Sequence, residues 1–247
     1  YQMFLDAYDR PMEDWCVQHG IAYSGEKHGM RLAQLKHMHI PGCDPGHTKA
    51  GAAELDILVG DIRRSAKATA SAAYFYDKEG ALDECYHSLG WSGTVQDAKL
   101  IAEMLILMGI RYLVPHGFFY STHALKKHDG PPTFFFQMPY WPLWHHLSER
   151  IAALYGYFEG TYIDAEILLI DHATVLPARE DVATDGRIRT LLLENQLDFY
   201  IVDTDNGRIR RVDAATGLIG TVAGLSLIHI SEPTRPRQSS YAVFCVE

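Results

Sequence analysis

The sequence predicts an α/β fold on a parallel sheet, an incomplete TIM-type (β/α) barrel. Three observations carry this. Short, continuously apolar runs alternate with helical stretches through residues 1–198, the pattern of parallel strands covered on both faces. These runs end in polar or ionisable residues, as strands do where a barrel gathers its chemistry. The chain has 247 residues, 47% apolar and 21% charged, enough for one large core.

Strands are expected at 20–24, 37–41, 81–84, 112–116 and 166–172. Residues 50–75 are Ala-rich and read as helix for much of their length. Thr94-Val95-Gln96-Asp97 resembles a capping box, with Asp where Glu is usual. Leu100, Ile101, Met104, Leu105 and Met108 follow at helical spacing, and Gly109 closes the helix. Leu143, Leu147, Ile151 and Leu154 mark another helix after Pro142. The expected strand ends carry Glu26, Asp44, Glu84, His116 and His172.

Composition excludes several classes. The net charge of −9 argues against non-specific nucleic-acid binding and against an anionic membrane surface. No run of apolar residues is long enough for a transmembrane helix. Cys16, Cys43, Cys85 and Cys245 are scattered, without a CxxC pair, so neither a zinc knuckle nor a redox dithiol is signalled. The opening Tyr1-Gln2-Met3 starts inside an amphipathic pattern, without initiator Met or signal peptide. The sequence reads as an internal fragment and leaves its compartment open.

Two carboxylates stand out. Glu26 follows the first expected strand, and Glu84 closes the third, ahead of Cys85-Tyr86-His87-Ser88-Leu89-Gly90-Trp91. A glycosidase needs two carboxyl groups across the scissile bond. One protonates the leaving oxygen, and the other activates water or attacks directly. Trp91 suits stacking on a sugar face. A salt-bridged strand-end carboxylate is an equal reading for Glu84, and for Glu26 it is the favoured one.

Several blocks in order resemble the α-L-rhamnosidase-type glycoside hydrolases, a barrel family with many bacterial members. They are Asp14-Trp15-Cys16 with His19-Gly20-Ile21, then Gly25-Glu26, then Ile40-Pro41-Gly42-Cys43-Asp44. Asp83-Glu84-Cys85-Tyr86 leads to Gly90-Trp91, followed by Met108-Gly109-Ile110, Pro115-His116 and Phe119-Tyr120-Ser121. Lys126-Lys127-His128-Asp129-Gly130-Pro131-Pro132, Pro139-Tyr140-Trp141 and Arg150-Ile151 complete the set, which spans about residues 4–178. The resemblance implies a catalytic glutamate at Glu84. It implies that Glu26, Asp44, His116, Tyr120 and Trp141 surround the sugar, and that the reaction inverts configuration with one acid and one base. It implies a carbohydrate substrate, no cofactor and no catalytic metal, with room for a structural calcium. Two stretches depart from the family pattern. Tyr86-His87-Ser88-Leu89 stands where small, Gly-containing residues are common, and His28-Gly29-Met30 is unlike the family.

The 13 histidines support other chemistry. His37 and His39 form an HxH pair on an expected strand, a signature of metal-dependent amidohydrolases. His116 and His172 would complete the site. Hydrogen-bonded core histidines are the blander reading for His37 and His39. A non-catalytic carbohydrate-binding barrel is a third reading.

The text changes near residue 198. Residues 199–224 resemble one NHL-type β-propeller repeat, with Asp/Asn/Gly turn residues between short strands. Leu225-Ser226-Leu227-Ile228-His229-Ile230-Ser231-Glu232-Pro233-Thr234-Arg235 matches the translation of a transposase adapter used in short-read DNA libraries. Tyr241-Ala242-Val243-Phe244-Cys245 resembles the outer adapter. The expected division is therefore a partial barrel at 1–198, a lone repeat at 199–224 and an artefactual tail at 225–247. Charge agrees with it. Asp203, Asp205 and Asp213 balance Arg208, Arg210 and Arg211, while Glu232 and Glu247 balance Arg235 and Arg237, so the net charge lies in 1–202. On this division the polypeptide itself is expected to fold poorly and to be inactive, the function belonging to the parent enzyme.

Overall fold

A computed structural model describes residues 2–26, 32–44, 66–165, 167–171, 179–203, 208–212, 219–224 and 242–244. The chain opens with α1 (Gln2–Phe4), a π-turn at Leu5–Asp9 and α2 (Arg10–His19), which run on as one helical segment. In the turn the Arg10 N–H donates to Leu5 O, one residue further back than in an α-helix. The register change accommodates Pro11, which has no N–H to donate.

Then follow β1 (Ser24–Gly25), α3 (Leu32–Leu35), β2 (Ile40–Cys43), α4 (Ala66–Phe75), β3 (Ala81–Cys85), α5 (Val95–Leu107) and β4 (Ile110–Pro115). After two 3₁₀ turns, Ala124–Lys127 and Trp141–Leu143, come α6 (Trp144–Phe158), β5 (Ile167–Asp171), α7 (Arg179–Glu194) and β6 (Phe199–Asp203). Strands β7 (Arg208–Val212), β8 (Ile219–Gly224) and β9 (Ala242–Phe244) are the last described elements.

Strands β1 to β4 form one sheet in sequential order, every neighbour parallel. A second parallel sheet runs β6-β5-β9, and β7 pairs antiparallel with β8. The α/β class with a parallel sheet is thus observed. No described helix is long and apolar enough to cross a membrane.

Helix α4 explains its own composition. It packs against β2, β3, β4 and β6, and Ala66 through Ala73 are all buried. Alanine is the side chain that fits a helix held between two sheets. Two polar contacts tie α4 to the second sheet. Ser71 Oγ accepts from Ile201 N at 2.9 Å and donates to Lys67 O at 2.7 Å. The buried Lys67 ammonium pairs with Asp198. Burial pulls the Lys67 pKa down, and the Asp198 charge pulls it back up.

Helix α5 begins as expected. Asp97 N donates to Thr94 Oγ1 at 3.2 Å, and Thr94 N donates to Asp97 Oδ2 at 2.8 Å, a reciprocal capping box. Gly109 follows the helix at φ +100°, a conformation that favours glycine. Ala98, Ile101, Ala102 and Leu105 form the buried face, whereas Leu100 is exposed. In α6, Trp144 and Leu147 are buried. Leu143 is exposed, because the 3₁₀ turn before the helix takes it off that face.

The expected strands form with shifted ends. Gly20 ends α2, and pairing starts at Ser24. Residues 37 and 38 close a turn, with His37 N donating to Gln34 O and Met38 N to Leu35 O, so β2 starts at Ile40. Phe199–Asp203 pairs with β5, not with β7. Phe199, Tyr200 and Ile201 are buried, with Phe199 and Ile201 in the core that includes α4. Ala242–Phe244 lies along the other edge of β5. An apolar triplet suits an open strand edge, whose unpaired N–H and C=O groups accept any extended segment.

Candidate functional site

Strand β3 sorts its side chains by alternation. Ala81, Asp83 and Cys85 are buried, and Leu82 and Glu84 lie on the opposite, less covered face. Ala81 and Cys85 join the core formed with α4 and α5. On β4, Val114 stands opposite Glu84 and is exposed. Glu84 therefore sits on the open face, at the C-terminal end of its strand.

Register decides which groups meet it. His116 follows β4, and its N–H donates to Cys85 O at 2.8 Å, extending the ladder by one bond. Its ring comes back to Glu84, with Nδ1 at 2.8 Å from Oε1. Cys43 pairs with Asp83, and Asp44, the next residue after β2, continues that register towards the level of Glu84. Asp44 Oδ2 lies 2.9 Å from His87 Nδ1. The His87 and His116 rings touch, with centroids 4.6 Å apart. The result is two carboxylate–imidazole pairs side by side.

The backbone around this cluster is shaped to build it. Tyr86 and Ser88 flank His87 at φ +74° and +62°, left-handed conformations that cost L residues roughly 1–3 kcal/mol each. The strain is held by packing. Tyr86 is buried, its ring 5.0 Å from that of Phe134. Gly130 closes the cluster from above at φ +63°. A Cβ there would lie 2.9 Å from the Nε2 of both His87 and His116. The Gly130 loop is tied down by Trp91 Nε1 donating to Lys127 O at 2.8 Å and by Gly90 N donating to Pro131 O at 2.8 Å. His116 Nε2 is buried and makes no hydrogen bond among the described residues.

Behind Glu84, Asp83 is fully buried. Cys43 Sγ donates to its Oδ2 at 3.2 Å, and its Oδ1 has no partner among the described residues. Burial pushes the Asp83 carboxyl up to about 7. The Cys43 hydrogen bond opposes this, while the Asp44 and Glu84 charges add to it. Burial likewise raises the Cys43 and Cys85 thiols well above their usual range.

Of the residues expected from sequence, the structure gathers Glu84, His116 and Asp44. Glu26 is placed differently. Gly25 pairs with Pro41, and Gly42 with Leu82, so Glu26 lies at the level of Leu82. That is two strands across and two residues below Glu84, roughly 10 Å sideways and 7 Å along the strands. Trp91 is 42% exposed, with its indole N–H used to hold the covering loop. Tyr120 is 90% exposed. Trp141 packs edge-on against Phe135 and Phe118, at 5.1 and 5.9 Å. His87 is the site residue that sequence reasoning missed.

The other histidines are used locally. His37 Nδ1 lies 2.7 Å from Glu13 Oε2, and Tyr23 N donates to His39 Nδ1 at 2.9 Å. The fourth residue of the HxH constellation, His172, lies outside the described residues. Among the described residues no three His, Cys, Asp or Glu side chains converge as a metal site would require.

No family model matches the chain, and neither a curated protein nor a solved structure matches it. The fold and site define an α/β protein with a carboxylate–histidine cluster at its parallel strand ends.

Proposed function

We propose that this chain carries the sugar-facing strand ends of an α-L-rhamnosidase-type glycoside hydrolase. One observation carries the reading: Glu84 stands on the less covered face of a parallel strand end, its carboxylate held by His116. A carboxylate so placed can face an anomeric centre, where positive charge develops as the glycosidic bond breaks. Asp44 and His87 supply further polar groups at the same strand ends, and the partly exposed Trp91 supplies an apolar plane. The sequential order of β1 to β4 is that of consecutive strands in a (β/α) barrel, and the proposal includes that architecture. The metal-dependent alternative draws no support from His37 and His39, each of which bonds a structural neighbour.

The test is ligand binding by the full chain, which needs no turnover. A protonated iminosugar of rhamnose configuration mimics the charge of the transition state. It is expected to bind more tightly than neutral rhamnose in titration calorimetry, and Glu84→Gln is expected to weaken it about tenfold or more. A wild-type chain that is folded by circular dichroism and binds neither compound, or a Glu84→Gln variant with undiminished preference for the cation, refutes the proposal.

A further inference from the structure

We infer that the second carboxylate of this site is Asp44, acting together with Glu84, and that Glu26 is not its partner. The inference rests on the glycosidase reading and deepens it. Three observations lead to it. The Cys43–Asp83 register sets Asp44 beside Glu84 on neighbouring strands, one inter-strand spacing apart, about 4.8 Å between backbones. The pleat then points both side chains to one face, since Asp44 and Glu84 each follow a paired residue whose side chain points the other way. Their imidazole partners also touch, so the two carboxylates share one hydrogen-bonded unit: Asp44–His87 against His116–Glu84.

Glu26 shares the face, at the level of Leu82, but neither the adjacent strand nor the imidazole unit. Two strands and two residue levels separate it from Glu84, and no hydrogen bond joins its side chain to the cluster among the described residues. Hydrolysis of a glycoside needs both carboxyl groups at one anomeric carbon, with separations of about 5–10 Å across the two mechanisms. The touching imidazole partners bring Asp44 and Glu84 together at the strand ends, which the two-strand gap does not do for Glu26. The roles of His87 and His116 follow: each is a positioning residue that fixes its carboxylate through Nδ1. Gly130, pressed against both rings, keeps them in place.

The experiment compares affinity for the cationic iminosugar and for neutral rhamnose in the wild-type chain and four variants: Glu84→Gln, Asp44→Asn, Asp44→Glu and Glu26→Gln. Asparagine keeps an oxygen to accept from His87, so circular dichroism is expected to match wild type. The preference for the cation is expected to fall about tenfold or more in Glu84→Gln and in Asp44→Asn. It is expected to recover in part in Asp44→Glu and to be unchanged in Glu26→Gln. An Asp44→Asn variant that keeps the wild-type preference overturns the inference while leaving the glycosidase reading intact. So does loss of preference in Glu26→Gln with Asp44→Asn unaffected. A wild-type chain that is folded by circular dichroism and binds neither compound overturns both.

Discussion

Asp83 offers the sharpest test of the buried chemistry behind the site. Its carboxyl is fully buried, one oxygen is unpartnered among the described residues, and burial lifts its pKa from 3.8 to about 7. A carboxyl raised on folding is better tolerated protonated than ionised. The stability it allows is fully present below its unfolded pKa of 3.8 and is lost as the pH climbs to about 7. Three pKa units correspond to about 4 kcal/mol over the whole window, of which about 3 kcal/mol falls between about pH 5 and about pH 8. Against a typical domain stability of about 5–15 kcal/mol this is a large share. Asp83→Asn keeps the shape and removes the charge. Urea unfolding at the two pH values gives the answer. The wild-type midpoint is expected to fall relative to that of Asp83→Asn as the pH rises, so that the variant gains ground by about 3 kcal/mol. A difference between the two proteins that does not change with pH refutes the argument.

Two further outcomes test the scaffold. Gly130→Ala places a Cβ at 2.9 Å from both imidazole Nε2 atoms, in a left-handed conformation. It is expected to lower stability by more than about 1 kcal/mol and to shift the His87 and His116 ring signals in NMR. Unchanged signals would show that the loop does not rest on the rings. Ser71→Ala removes the acceptor for the buried Ile201 N–H and is expected to cost about 1–3 kcal/mol in denaturant unfolding. A neutral result would mean that α4 and β6 are not joined there.

Some features were legible residue by residue. The Thr94–Asp97 box and Gly109 mark both ends of α5 because capping is local chemistry within a few residues. Residues 66–75 of the Ala-rich run form a buried helix, since small side chains suit a crowded interior, while residues 50–65 lie outside the described residues. Strand ends were less legible. His37 and His39 alternate as strand residues do, yet a turn and the contact with Glu13 keep His37 out of the ladder. Leu100 and Leu143 fit helical spacing but face solvent, since periodicity sets a stripe and not which neighbour covers it. His87 gave no signal of its own in the sequence, because the turn that presents it is set by backbone conformation at its neighbours. Tyr86 and Ser88 adopt positive φ on either side of it, where residue type alone would predict glycine.

The sequence alone determined the α/β class, the caps, and which strand ends bear ionisable groups, because each is written in nearest neighbours and short periods. Tertiary structure decided which of those groups meet. His116 reaches Glu84 across 32 residues, and Asp44 reaches the same unit through a register that pairs Cys43 with Asp83. A strand's register is set by the packing of whole faces, and shifting it by one residue would turn Glu84 into the core and Asp83 out. No local pattern carries that choice, so Glu26 and Asp44 look alike in the sequence and stand apart in the fold.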